Sequence, residues 1–311
     1  MHLTIVMKTI AYNLFFTMMT SCLVTRAYEG FNTSLDQSPI IQTWASTYAI
    51  IHRNENRIID TLGTAFVVDK FSKDNRYFLI LMTAGHVVDD TVKPTNASPY
   101  EGIQIYTDFS KKVGVSNPVV GVLLDSTIIS SGIENEKDIG SFLVEVREQY
   151  YQAVRTIKIS TNGCAIQTKR SLTPEFSLRT YIVGFPGVHT RPIENQNVKI
   201  ENPDVVQKRW SSGAWALGYA TGNRRNLAKD LLWSTADSLA GDSGGPVIDQ
   251  NGNWMGVNVG AQYTEGNMYK SNEMADTELG LAKTGYSFFV GCSVAQPYAI
   301  RIENEYRELI K

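Results

Sequence analysis

Gly241-Asp242-Ser243-Gly244-Gly245-Pro246-Val247 decides how the rest of this chain is read. A nucleophilic serine needs an exposed Oγ beside backbone N–H groups aimed at a developing oxyanion, and flanking glycines let the backbone turn tightly enough to provide both. An ordinary hairpin uses the same glycines, so the decision falls to residues elsewhere. Thr83-Ala84-Gly85-His86 follows the apolar run Tyr77 to Met82, which puts His86 just past a strand end, where a rigid scaffold can hold a general base. An imidazole in that role must be kept in one tautomer by an ionised carboxylate. Asp138 fits, leading into the alternating run Ile139-Gly140-Ser141-Phe142-Leu143-Val144, 52 residues after His86 and 105 before Ser243. Asp125 competes, with a strand before it but none after.

From Trp44 onward the apolar residues come in short runs rich in Val, Ile, Tyr and Phe, separated by Gly, Pro, Asn and Asp. This pattern predicts β-strands, among them Tyr48 to His52, Leu62 to Val68, Tyr77 to Met82, Ile139 to Val146, Leu178 to Val183 and Trp254 to Val259. Two series of six or seven strands suggest an all-β fold of two antiparallel β-barrels or sandwiches, joined between Gln149 and Val154. The expected layout is a signal segment over 1–27, an extension over 28–47, a first barrel over 48–150, a second over 151–295 and a C-terminal helix over 296–311. Pro297 is expected near the first turn of that helix, where its missing N–H costs nothing. The 68 residues after Ser243 are needed for the last strands and the helix, so no appended C-terminal binding domain is expected.

Gly63-Thr64-Ala65-Phe66-Val67-Val68, then an apolar strand and Thr-Ala-Gly-His, resembles the first barrel of chymotrypsin-like serine peptidases, and Gly-Asp-Ser-Gly-Gly-Pro resembles the second. The resemblance covers about Tyr48 to Lys311. It leans toward the bacterial branch that holds the glutamyl endopeptidases, through Tyr181-Ile182-Val183-Gly184-Phe185-Pro186-Gly187 and Gly285-Tyr286-Ser287-Phe288-Phe289-Val290. It implies two six-stranded barrels, a His86, Asp138, Ser243 triad working through an acyl-enzyme, and an oxyanion hole from the Gly241 and Ser243 N–H groups. It also implies protein or peptide substrates, no cofactor and a monomer. Asp242 reads as a structural carboxylate of the turn.

The resemblance puts specificity on Asp237, six residues before the serine, and on Asn258-Val259-Gly260 in the following strand. A carboxylate at the base of the first pocket selects Arg or Lys by a charge-assisted hydrogen bond. Glutamyl endopeptidases read the substrate carboxylate mainly through a His in the later strand, where this chain has Asn258. A basic residue before the cut is therefore the first expectation, a small or neutral one the second and Glu the third. The alternatives are a catalytically inactive protease-like binding protein, which would have lost a triad member, and a serine esterase, which would need the order Ser, acid, His.

Composition limits the partners. With 29 Lys plus Arg against 31 Asp plus Glu, a net charge of −2 and no basic block, nothing favours nucleic acid. The mostly apolar run Ile10 to Val24 after Lys8, with Thr25-Arg26-Ala27 behind it, reads as a secretory signal, too short and too polar for a bilayer span of about 20 residues. Secretion or periplasmic export is the expected localisation, and Met19-Thr20-Ser21-Cys22 offers the alternative of a lipid anchor on Cys22 as the one route to a membrane. Cleavage at Ala27 leaves Cys164 and Cys292, an even number that one bridge could pair in an oxidising compartment. Their isolation from each other and from histidines argues against a metal site. His2, His52 and His189 have no motif around them.

Overall fold

The computed structural model describes residues 43, 45–53, 59–93, 98–107, 122–167, 176–185, 209–216, 231–234, 238, 241–263 and 284–310. A first antiparallel sheet is built from β1 (Thr47–Arg53), β2 (Ile59–Lys73), β3 (Arg76–Thr83), β4 (Ile103–Thr107), β5 (Val122–Leu123), β6 (Ser126–Glu134) and β7 (Ile139–Val146). Its spatial order is β5-β4-β1-β2-β3-β7-β6. A second set, β8 (Phe176–Gly184), β9 (Arg209–Ala216), β10 (Leu231–Ser234), β11 (Pro246–Ile248), β12 (Trp254–Tyr263) and β13 (Thr284–Gly291), closes into a six-stranded barrel in the order β10-β13-β12-β11-β8-β9. The fold is all-β and chymotrypsin-like, with seven strands in the first sheet among the described residues where six were expected. The seventh is the two-residue β5 at one edge.

The central strand β3 shows why the sheets stack. Strand side chains alternate faces, so Leu79 and Leu81 enter the core of the first sheet with Ala65, Val67, Phe142 and Val144. Phe78, Ile80 and Met82 point the other way and join Tyr181, Val183, Ile248, Trp254 and Val257 of the second barrel in one apolar seam. A strand buried on both faces reads as a continuous apolar run, which is what Tyr77 to Met82 is. Each fully buried large side chain of this kind contributes about 1.5–3 kcal/mol, so the seam ranks with the core of the first sheet as a source of stability.

Short helices complete the chain: α1 (Gly85–Thr91), α2 (Glu148–Ala153) in the segment between the sheets, α3 (Thr161–Gln167) and α4 (Cys292–Leu309). The terminal helix starts at Cys292 rather than 296, and Pro297 lies inside it. The Pro ring removes one i→i−4 bond, the one to the carbonyl of Ser293, itself an exposed residue. Ala295, Tyr298, Ala299, Ile302 and Tyr306 recur at helical spacing and are all buried in the seam. The Tyr298 and Tyr306 hydroxyls both meet Ser141 Oγ on β7, at 2.9 and 2.8 Å. Gly132 opposite Ser141 keeps that space open, since a Cβ there would lie 3.3 Å from both tyrosine oxygens. Burial pushes the Tyr298 phenol up to about 12, against the lowering effect of the Ser141 bond.

A disulfide joins Cys164 on α3 to Cys292 at the start of α4, across 128 residues. Gln167 reinforces the joint, its Nε2 donating to the Met255 carbonyl at 2.7 Å and its Oε1 accepting from the Cys292 N–H at 2.6 Å. In the chain-entropy picture a loop this long makes the cross-link worth several kcal/mol. Peptide mapping without reductant is expected to recover 164 linked to 292, and the Cys164→Ser, Cys292→Ser double variant to lose about 2–5 kcal/mol in chemical denaturation. An unchanged denaturation midpoint would remove the bridge from the list of stabilising features.

Candidate active site

Three segments meet at the seam. β3 ends at Thr83, and Ala84 caps α1, of which His86 is the second residue. The second segment is the turn before β7. A single 3-10 turn at Asn135–Lys137 ends on Asp138 in the left-handed conformation, φ 50° and ψ 47°. Asp tolerates that region better than most residues because its short side chain bonds locally. The conformation turns the carboxylate back onto α1: Asp138 Oδ1 accepts the backbone N–H of His86 at 2.9 Å, and Nδ1 of the ring lies 2.9 and 3.1 Å from Oδ1 and Oδ2. Gly85 makes the approach feasible, because a Cβ there would come within 3.1 Å of the Asp138 and Ile139 backbone.

The pair is asymmetric in exposure. The His86 side chain is 41% exposed and that of Asp138 only 9%, so solvent or a ligand reaches the imidazole while the carboxylate stays shielded behind it. Burial works against the charged imidazole, but the hydrogen bond and charge of Asp138, with Asp90 adding, outweigh it and hold the His86 pKa above 6.5. With Nδ1 carrying the proton toward Asp138, Nε2 is left as the acceptor. Asp125, the competitor on sequence grounds, pairs instead with Arg147, both exposed.

The third segment is the turn Gly241 to Gly245, between β10 and β11. The carbonyls of Gly241, Asp242 and Ser243 are each held. Thr64 Oγ1 donates to the Gly241 carbonyl at 2.7 Å. Asn258 Nδ2 and the Gly245 N–H donate to the Asp242 carbonyl at 3.1 and 2.9 Å. The Thr64 N–H donates to the Ser243 carbonyl at 2.8 Å, while the Gly244 N–H on the same peptide donates to the Asn258 carbonyl at 2.6 Å. A trans peptide puts N–H opposite C=O, so the Asp242 carbonyl bound toward Asn258 turns the Ser243 N–H the other way. Among the described residues the Gly241 and Ser243 N–H groups meet no acceptor. Gly241 and Gly244 have φ of +102° and +89°. A Cβ at Gly244 would sit 2.0 Å from the Thr64 carbonyl and 2.1 Å from Thr83 Oγ1, so Ser243 is held against the same strand ends that lead to His86. Asp242 is buried, its carboxylate packed on Gly184 of β8.

The residues expected to set specificity divide. Asp237 lies outside the described residues. Asn258 is fully buried on β12 and its side chain reaches Ser238 Oγ, at 2.7 Å, as well as the Asp242 carbonyl, so it supports the turn from behind. Val259 and Gly260 follow it with partial exposure, and among the described residues nothing lies within 4 Å of where a Gly260 Cβ would be. Two buried threonines were quoted in the sequence only as parts of a pattern and given no role: Thr64, and Thr83, whose Oγ1 donates to the Thr64 carbonyl at 2.6 Å. For Thr64 the available signal was a polar residue between Gly63 and Ala65 in an otherwise apolar run. Among the described residues no group of three or more His, Cys, Asp or Glu could hold a metal ion.

No family model and no curated protein matches the chain. Among solved structures it is similar to the serine endoprotease from Yersinia pestis, at 17% identity over 86% of this chain and 67% of that one, with a TM-score of 0.45. It is also similar to the HtrA-type protease AlgW with tripeptide, at 14% identity over 85% of this chain and 62% of that one, with a TM-score of 0.46. This chain therefore spans about two thirds of the length of those two proteases.

Because the His86 imidazole must be neutral to accept a proton, activity that depends on it is lost as pH falls through its raised pKa. Asp90→Asn removes a charge that favours the imidazolium, so the acidic limb of a kcat/KM profile is expected to move to lower pH. A limb that stayed in place, or moved up, would separate the limb from His86.

Proposed function

We propose that the protein is an exported serine endopeptidase of the chymotrypsin-like family, with Ser243 as nucleophile, His86 as general base and Asp138 as the carboxylate that orients it. The observation that carries this reading is the double contact of Asp138 with the His86 ring and backbone N–H, beside a serine turn whose Gly241, Asp242 and Ser243 carbonyls are engaged and whose Gly241 and Ser243 N–H groups have no acceptor among the described residues. His86 takes the Ser243 proton as Oγ attacks a peptide carbonyl, and Asp138 stabilises the imidazolium. The two N–H groups receive the oxyanion, each such donor being worth roughly 3–4 kcal/mol of barrier. The proton then passes from His86 to the leaving amine, and water releases the acyl group by the same base. Export suits the Cys164–Cys292 bridge, which persists in an oxidising compartment.

A serine-directed fluorophosphonate is expected to label the wild type at Ser243, and Ser243→Ala to lose both labelling and hydrolysis of unfolded protein. Asp138→Asn is expected to cost about 10⁴-fold in kcat, while Asp125→Asn, which breaks only an exposed ion pair, leaves it within about twofold. Retained activity in Ser243→Ala would sink the nucleophile assignment.

Asp237 is proposed to read Arg or Lys before the cut. Cleavage-site profiling on a denatured proteome is expected to show those residues there, and Asp237→Ser to lower kcat/KM at such sites by about 10²-fold, because a desolvated charge loses its partner. A preference for Glu or small residues, untouched by Asp237→Ser, would place this carboxylate outside the pocket.

A further inference from the structure

We propose that the Thr64 side chain is a positioning residue that holds the serine turn in its working conformation; the hydrogen bonds stand by themselves, and the kinetic consequence rests on the peptidase reading. Thr64 is fully buried near the middle of β2, and its polar atoms tie together three segments: the serine turn, the end of β3 and Phe185 after β8. Its N–H binds the Ser243 carbonyl and its carbonyl accepts from Thr83. Its hydroxyl accepts the Phe185 N–H at 3.1 Å and donates to the Gly241 carbonyl at 2.7 Å.

The direction of that hydroxyl proton is forced. Phe185 N–H can only donate, so Thr64 Oγ1 must accept there, and its own proton is left for Gly241. β-Branching narrows the choice of χ1, and Thr64 is fully buried, so the hydroxyl has little freedom to turn elsewhere. The backbone bonds of Thr64 tolerate any side chain at 64, but the bond to Gly241 requires a hydroxyl.

Gly241 is where the turn has least support of its own. Its φ of +102° is open to glycine alone, and glycine is equally content at negative φ. Among the described residues the Gly241 carbonyl has this one partner. Releasing it frees rotation about the Gly241 torsions, and with them the direction of the Gly241 N–H, one of the two proposed oxyanion donors. The Ser243 N–H is fixed independently through Asn258 and Gly245, so loss of the hydroxyl impairs one donor and spares the other.

The test compares wild type, Thr64→Ser and Thr64→Val, using a peptide substrate and hydrogen–deuterium exchange on the intact protein. Thr64→Val is expected to lower kcat by about 10- to 100-fold, short of the 10²–10³ for outright loss of an oxyanion donor, with KM changed by less than about threefold. Its acidic pH limb stays in place because the His86–Asp138 contact is untouched, and Thr64→Ser recovers most of kcat. Exchange in the peptide covering 238–245 rises in Thr64→Val and not in Thr64→Ser. Unchanged exchange in that peptide overturns the proposal, as does a drop in melting temperature with kcat intact. A wild type that neither cleaves peptides nor takes the fluorophosphonate would instead strike the peptidase reading, and the exchange comparison would still decide the brace.

Discussion

A 2.8 Å hydrogen bond from the Thr64 amide to the Ser243 carbonyl joins the two halves of the molecule backbone to backbone. The groups that would act together come from different halves: His86 and Asp138 from the first sheet, the serine turn from the second barrel. Neither half alone sets the separation between them. That separation follows from backbone contact at Thr64, from Gly244 lying where any Cβ would strike Thr64 and Thr83, and from the apolar seam beneath. Interiors packed to crystal-like density do not slide by fractions of an ångström, so the seam converts apolar burial into positional precision.

His86 and Asp138 illustrate a different use of the chain. An imidazole and a carboxylate 52 residues apart meet because β3 and β7 are paired in register, Thr83 opposite Gly140, so both side chains leave the same end of adjacent strands. The left-handed turn at Asp138 supplies the remaining rotation. The pair costs little conformational entropy to hold, since both backbones are already fixed by the sheet.

What the sequence revealed follows from what sequence can encode locally. Most strands of both sheets were legible because alternation and punctuation are short-range signals, and the short motifs around Ser243 and His86 carry their own backbone requirements. The start of α4 was not. Pro297 was read as lying in the first turn of a helix from 296, yet the helix starts four residues earlier, at Cys292, capped by Gly291 and tied by the disulfide to Cys164, 128 residues away. β6, Ser126 to Glu134, went unread because its polar residues break the alternation and its pairing with β7 carries a register shift between Ile128 and Ser130. Nor could spacing show that Asn258 turns inward: its side chain is committed by Ser238 and Asp242, twenty and sixteen residues away. The seam itself was visible only as a strand apolar on both faces.

The placement of α4 has a kinetic meaning. The helix reaches Ser141 from Tyr298 and Tyr306 across 157 and 165 residues, Asp69 from Arg307 across 238, and its own end is held by Lys73 across 237. Contacts of such sequence separation form late, because the loops they close carry the largest entropy and return nothing until closure. The first sheet can therefore gather its own core long before its seam is covered. The seam that α4 shares with both halves is closed by contacts of this long range, so its consolidation is expected to follow that of the first sheet's own core.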